Sequence, residues 1–424
     1  MGIKRDFYWG WYVVLGAFLI SGINCGARYC FGIFVIPMSL EYGWSRSVIS
    51  LGASLMTLSY GIGGIFSGYL LDRMAPRWII IIGAVVSAAG LILTAFVQSP
   101  WQYYLIFGLL FGLGSAWFGV VVCSVSVGKW FLKKRGMAIG ISSIGIGVGT
   151  MIMSPILAYI VRQNWQQGFI FLGLIVLVGV IFLAQLFMRK TSPESCGLYP
   201  DGNLPAAGCT FPPSLRPSPS TYPEPAQGLP LQTIFKDSRF WILAVCYSLA
   251  VMAQMSVFVH QVAYAIDRDI DQIAAASSLG FIGVASILGR FFFGWFSDRI
   301  KDAKIASSIG FFLMVLGMIV LMKANNAALL FVYSFLFGFG YGSIAPMMPF
   351  LLVDRFGIQV LGTTYGALTF FVAGIGGGAG PLLCGFIYDR CGSYNFAWQI
   401  NVAALFLITV LILTLKPRDL HRNV

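Results

Sequence analysis

GYLLDRMAPR, residues 68–77, returns as GWFSDRIKDAK at 294–304. Gly68, Asp72 and Arg73 of the first copy stand 226 positions before Gly294, Asp298 and Arg299 of the second. At the same offset Gly136 and Gly140 recur as Gly362 and Gly366, and Pro155 recurs as Pro381. One offset shared by three separate regions marks an internal duplication. Each copy also borders apolar sequence. Directly after Arg77 runs WIIIIGAVVSAAGLILTAFV (Trp78–Val97), without a single charge. About twenty apolar residues suffice to cross the ~30 Å hydrocarbon layer.

The rest of the chain has the same character. Of 424 residues 58% are hydrophobic and 10% charged, with mean hydropathy +0.84. Soluble domains carry about 25% charged residues. Spans are predicted near 11–38, 47–71, 78–97, 102–128, 136–161, 167–188, 240–266, 273–296, 305–322, 328–353, 359–388 and 397–415. The first is too long for a cleavable signal and has no small-residue cleavage site after it, so it reads as a retained span.

Twelve spans put both termini on one side. Of the 27 Lys and Arg, twenty fall on that side, five fall opposite, and Arg28 and Arg290 lie inside spans. The positive-inside rule then puts both termini in the cytoplasm of a plasma (inner) membrane protein. The net charge of +12 is thus mostly topology, and a nucleic-acid partner is not expected.

PAAGCTFPPSLRPSPSTYPEPAQGLP (residues 205–230) is rich in proline and serine and poor in aliphatics, the composition of a flexible linker. It divides the chain into a six-helix bundle at 1–188, a cytoplasmic linker at 189–237 and a second six-helix bundle at 238–424. The expected fold class is an all-α polytopic membrane protein, with twelve transmembrane helices in two pseudo-symmetric bundles. Carriers built this way bind substrate near mid-membrane, between the halves. The eight cysteines have neither metal-ligand spacing nor a disulfide pattern. No nucleophile–base pair is evident, and GIGVG (145–149) lies within a span as a helix-packing surface. The expectation is therefore no enzyme, no catalytic residue, no metal and no cofactor.

The duplicated loop is where a resemblance emerges. Gly68, Asp72, Arg73 and Arg77 match the G-x-x-x-D-R-x-x-x-R loop of major facilitator superfamily transporters. Gly294, Asp298 and Arg299 match its echo in the second half, with Ala303 where a final basic residue would stand and Lys304 beside it. The opening GWYVVLGAFLISG…RYCFGIFVIPM…EYGWSRSVISL, the loop SPESCGLYPDG and the span VHQVAYA resemble the monocarboxylate porter group and its bacterial oxalate/formate-antiporter relatives. The resemblance runs from end to end. It implies that the loops act as a conformational gate, and a carboxylate–guanidinium pair at a helix end can hold one state and release another.

Three ionisable side chains are expected inside the membrane: Arg28, His260 and Arg290. None of the fifteen acidic residues lies deep in a span. Arg290 stands eight residues before Asp298, roughly 12 Å at 1.5 Å per residue. Its stem could snorkel toward the interface, or its permanent charge could face a cavity and hold a carboxylate through two parallel hydrogen bonds. The resemblance favours the second, since an arginine in span eight is the expected substrate anchor of monocarboxylate porters. Arg28, beside Tyr29, is a second anion contact or packs against polar groups such as Asn24. His260 is the candidate proton carrier, or a neutral histidine bonded to a backbone carbonyl. Related porters often carry an acid near the span-eight arginine, where Ser286 stands here. Span eleven has no antiporter-type lysine, only Thr363, Thr364 and Tyr365. At the 226 offset Arg28, His260 and Arg290 face Gln254, Phe34 and Gly64, so the charged residues break the repeat.

Trp117, Gln254, Tyr341 and Tyr365 complete the candidate substrate site. The reading is a secondary transporter of small, lactate- or pyruvate-like monocarboxylates, proton-coupled and functional as a monomer in a lipid bilayer. The alternatives are proton-independent exchange of organic anions, of oxalate/formate type, and a transporter-fold sensor or scaffold.

Overall fold

The computed structural model describes residues 8–71, 74–131, 135–190, 193, 234–297, 299–300, 302–356 and 361–416. Most of the linker and the gate residues Asp72, Arg73 and Asp298 lie outside them. Among the described residues every regular element is helical. Twelve helical stretches follow one another: α1 (Trp9–Tyr42), α2 (Arg46–Leu71), α3 (Pro76–Thr94), α4 (Pro100–Gly128), α5 (Arg135–Gln163), α6 (Trp165–Phe187), α7 (Ser238–Ile266), α8 (Gln272–Ser297), α9 (Ala303–Lys323), α10 (Ala327–Phe356), α11 (Leu361–Thr369, running on through Gly377–Cys391) and α12 (Asn395–Thr414). They follow the apolar runs closely. Eleven are long and apolar enough to cross a membrane. The other, α2, has 26 residues, about 39 Å of helix, and packs between α4 and α11.

The helix ends follow local chemistry. Pro76 and Pro100 begin α3 and α4, where their missing N–H costs nothing. The side chains of Asn164, Asp237, Asp302 and Asn326 accept backbone N–H groups at the starts of α6, α7, α9 and α10. Gly43 and Gly392, both at φ 65°, end α1 and α11 in the left-handed conformation that glycine adopts without strain.

The halves meet along two seams, α5 against α8 and α2 against α11. Small residues let the backbones approach closely, as in membrane helix pairs generally. A Cβ on Gly147 would lie 2.6 Å from the Gly283 carbonyl oxygen, and one on Gly280 would lie 3.1 Å from that of Met151. In the second seam, Cβ atoms on Gly378 and Gly385 would lie 3.4 Å from the Ser54 oxygen and 2.7 Å from the Arg46 oxygen. Ser54 and Gly280 are 226 positions apart, so the duplication reappears as matching contacts. Both seams are closed from the side of the 42–46 turn, here the far side, to mid-helix. Toward the termini the described residues part: Cβ atoms on Gly64, Gly140 and Gly294 would meet no described atom within 4 Å. Helix α7 lies centrally, buried without a break from Ala250 to Ala265.

Candidate anion-binding site

Arg28 and Tyr29 end the regular first part of α1, just before a 3-10 stretch at Cys30–Phe34. A mid-helix 3-10 stretch often marks a functional hinge. Arg28 is 6% exposed. Its guanidinium carbon lies 3.5 Å from the ring centre of Tyr60 on α2 and 5.5 Å from that of Tyr29. Its Nε is buried without a hydrogen-bond partner, and no carboxylate among the described residues pairs with it. A desolvated cation–π contact contributes about 2 kcal/mol and leaves the charge uncompensated. Asn24 does not hold Arg28: its amide donates to the Ser115 carbonyl on α4 at 2.8 Å.

Arg290, half-buried on α8, reaches across the seam. Its Nη1 donates to the Ser143 carbonyl on α5 at 2.6 Å. Its guanidinium carbon lies 6.0 Å from the Tyr341 ring centre, and its Nε is also buried without a partner. A carbonyl occupies one donor and neutralises no charge. Aromatic residues connect the two arginines. Tyr29 packs on Phe258 at 4.9 Å and Phe258 on Tyr341 at 5.8 Å, while Tyr341 interacts with both Arg290 and Tyr29. Both guanidinium groups act electrostatically on Cys25, one turn before Arg28. Tyr365 on α11 lies within electrostatic reach of Tyr60.

The structure thus brings together Arg28, Tyr29, Tyr341 and Arg290, with Tyr365 joined through Tyr60. Trp117 is half-buried at a break in α4. A Cβ on Gly83 would lie 2.7 Å from its own, and its indole N–H has no partner. Gln254 is buried on α7 and bonds to neither arginine. Of the residues expected to form a gate, Arg77 lies 4.9 Å from the Trp78 ring and Arg299 4.1 Å from the Trp295 ring; Gly68 falls within α2.

His260 is elsewhere. It is fully buried on α7, with Nε2 at 2.9 Å from the Pro381 carbonyl and 3.0 Å from Ser50 Oγ, and Nδ1 at 3.0 Å from the Tyr394 hydroxyl. A carbonyl can only accept, so Nε2 carries the proton and Nδ1 accepts from Tyr394. This is the carbonyl-bonded arrangement anticipated as the alternative. No hydrogen bond joins it to either arginine.

Tyr60 and Ser143 carry no sequence signal, being an ordinary tyrosine and a backbone acceptor. Among the described residues no group of three or more His, Cys, Asp or Glu converges on a possible metal site.

The family profile described as Major Facilitator Superfamily matches residues 17–381. The chain belongs to the Major Facilitator Superfamily. Monocarboxylate transporter 12 of Xenopus laevis is 24% identical over 413 residues, covering 95% of this chain and 88% of that relative. Monocarboxylate transporter 2 of Homo sapiens is 25% identical over 396 residues, covering 92% and 82%. Among solved structures, the nucleoside transporter NupG matches with TM-score 0.72 at 11% identity, covering 96% of this chain and 99% of that one. A bacterial homologue of the human lysosomal transporter Spinster, inward-facing and unoccupied, matches with TM-score 0.68 at 16% identity, covering 98% and 95%. The structural likeness speaks for the fold alone. The protein is a multi-pass membrane transporter of the Major Facilitator Superfamily.

Proposed function

We propose that the protein carries small monocarboxylates by alternating access, with both termini in the cytoplasm of the plasma (inner) membrane. The observation that carries this reading is two permanently charged guanidinium groups between the halves, each with a buried, unpartnered Nε and neither with a carboxylate among the described residues. An isolated buried charge is costly unless paired, and an anionic substrate supplies the pair. The empty site then carries two uncompensated charges that hinder reorientation, and a bound monocarboxylate removes one of them. The relatives named as monocarboxylate transporters favour a carboxylate.

A charge-assisted hydrogen bond contributes about 1.5–3 kcal/mol. Arg290→Gln is therefore expected to weaken lactate or pyruvate uptake into proteoliposomes by roughly 10–100-fold. Full uptake by that variant would end the anchor assignment. Competition by carboxylates of increasing size, at two pH values, would define the substrate.

Proton coupling through His260 belongs to this reading. A second reading, anion exchange without protons, is favoured by one observation: both ring nitrogens of His260 are engaged within the protein, away from the arginines. Uptake driven by internal substrate and indifferent to a pH gradient would select exchange.

A further inference from the structure

At the far end of the seam Arg46, the first residue of α2, reaches into the second half. Its Nη1 and Nη2 donate to the two carboxylate oxygens of Asp267 at 2.7 and 2.8 Å, and Nη1 donates to the Tyr394 hydroxyl at 2.7 Å. Its guanidinium carbon lies 3.7 Å from the Tyr388 ring centre. The backbone N–H groups of Arg46 and Ser47 both donate to Asp389, at 2.9 Å each. Among the described residues Arg46–Asp267 is the one ion pair that joins the halves. Arg239–Asp237, Lys304–Asp302, Arg355–Asp302 and Arg355–Asp354 all stay within the second half.

This cluster is contiguous with His260. Ser50, one turn beyond Arg46, donates to the Arg46 carbonyl and lies 3.0 Å from His260 Nε2. The Tyr394 hydroxyl lies between Arg46 Nη1 and His260 Nδ1.

We propose that the Arg46 cluster is a bolt that holds the far side shut, and that a proton on His260 draws it. Neutral His260 accepts from the Tyr394 hydroxyl, whose oxygen in turn accepts from Arg46. A proton on Nδ1 turns that nitrogen into a donor, so the hydroxyl proton loses its acceptor. An imidazolium then stands one hydroxyl away from a guanidinium in a buried site. Burial pushes the Tyr394 phenol well above its usual pKa, so it does not ionise to compensate. His260 and Arg46 belong to opposite halves, so their repulsion acts across the seam. The other charged or titratable groups around His260 are Asp389, Tyr388 and Cys384 on α11, Tyr264 on its own helix and Asp267 just after that helix ends. The facing stretches of α1 (Cys30–Phe34) and α8 before Arg290 carry no formal charge. Asp267 is committed to Arg46 and Asp389 to two backbone amides, so neither is free to follow the new cation.

The test reads far-side opening and needs no substrate, so it is independent of which anion is carried. Spin labels at Leu40 and Asn325, both exposed on the far side of opposite halves, are introduced with Cys196→Ser and Cys209→Ser, at positions outside the described residues, and Cys391→Ser, which removes an exposed thiol. Pulsed electron paramagnetic resonance in nanodiscs then gives the distance distribution. Lowering the pH from about 7.5 to about 5.5 is expected to add a longer distance. Arg46→Gln and Asp267→Asn are expected to raise that long-distance population by at least about threefold already at the higher pH. The exchange of Arg46→Asp with Asp267→Arg is expected to restore the short distance. His260→Gln is expected to remain short at both pH values, and His260→Asn gives the same readout should that variant not fold. Unchanged distances in both single variants, or no recovery in the exchanged pair, would overturn the bolt. A pH response that persists in the folded His260 variant would overturn the role of His260.

Discussion

The two ends of the inter-half seam are built from the same duplicated helices and behave differently. At the far end, glycines are in backbone contact and a bidentate ion pair crosses between halves. Toward the termini, Gly64, Gly140 and Gly294 have no described atom against them, and among the described residues the ion pairs at Asp237 and Asp302 stay within one half. A glycine inside a helix costs up to about 1 kcal/mol relative to alanine. That cost is explained at Gly147, which has a backbone against it. At Gly140 this conformation gives no such reason, whereas closure of the seam at the termini side would. The difference fits the proposed alternation: one closure is present here, and the unused glycines would serve the other.

The comparison is broken or sharpened most strongly by valine at the two glycine types. Gly147→Val would drive a side chain into the Gly283 carbonyl and Ile287. Overpacking of this kind costs about 1–3 kcal/mol, visible as a lowered thermal midpoint of the purified protein. Gly140→Val should change stability by less than about 0.5 kcal/mol, leaving that midpoint nearly unchanged, and still lower turnover while anion affinity is kept. Equal midpoints for the two variants would erase the distinction between the ends.

A smaller effect is expected where the seams converge on the arginines. Tyr60→Leu removes the platform under Arg28, worth about 0.5–2 kcal/mol, and should raise the uptake KM by roughly 2- to 30-fold. Tyr60→Phe keeps the ring and should leave KM nearly unchanged. Similar KM values for Leu and Phe would mean that the ring does not position Arg28.

The smallest effect belongs to the termini-side pair Arg239–Asp237. Burial alone would raise the Asp237 pKa, but hydrogen bonds from Arg239 outweigh it and hold the carboxyl below its ordinary range. With the folded pKa depressed, the contribution is present above about pH 4 and is lost as the pH falls through the folded value. Asp237→Asn should cost less than about 1 kcal/mol, only above that pH, and leave the far-side distance unchanged. A changed distance would tie this local pair to the seam.

The helices were legible because charge-free runs of membrane length have few alternative fates. Arg28 and Arg290 were legible for the same reason, as lone charges in apolar surroundings. Their platform was not. Tyr60 is one of 18 tyrosines, and nothing in its neighbourhood points to α1. His260 was recognisable as a buried titratable group, but its partners include the Pro381 backbone oxygen, an atom every residue possesses. Arg46 was misleading, since at the start of a span it looks like an ordinary loop cation. Its carboxylate partners lie 221 and 343 positions away. One signal was available: Arg46 is among only five cations assigned to the far side, where the positive-inside rule gives no reason for one.

Asp389 has a consequence for α2 itself. That helix borrows its N-terminal cap from the other half of the molecule, since Asp389 accepts the first two amides. Its own Ser45 holds only the Val48 N–H, at 3.4 Å. If the halves separate on this side, the first turn of α2 exchanges that acceptor for water. A far-side opening would thus loosen this turn, and faster deuterium uptake at the Arg46 and Ser47 amides when substrate is added is the expected sign of it.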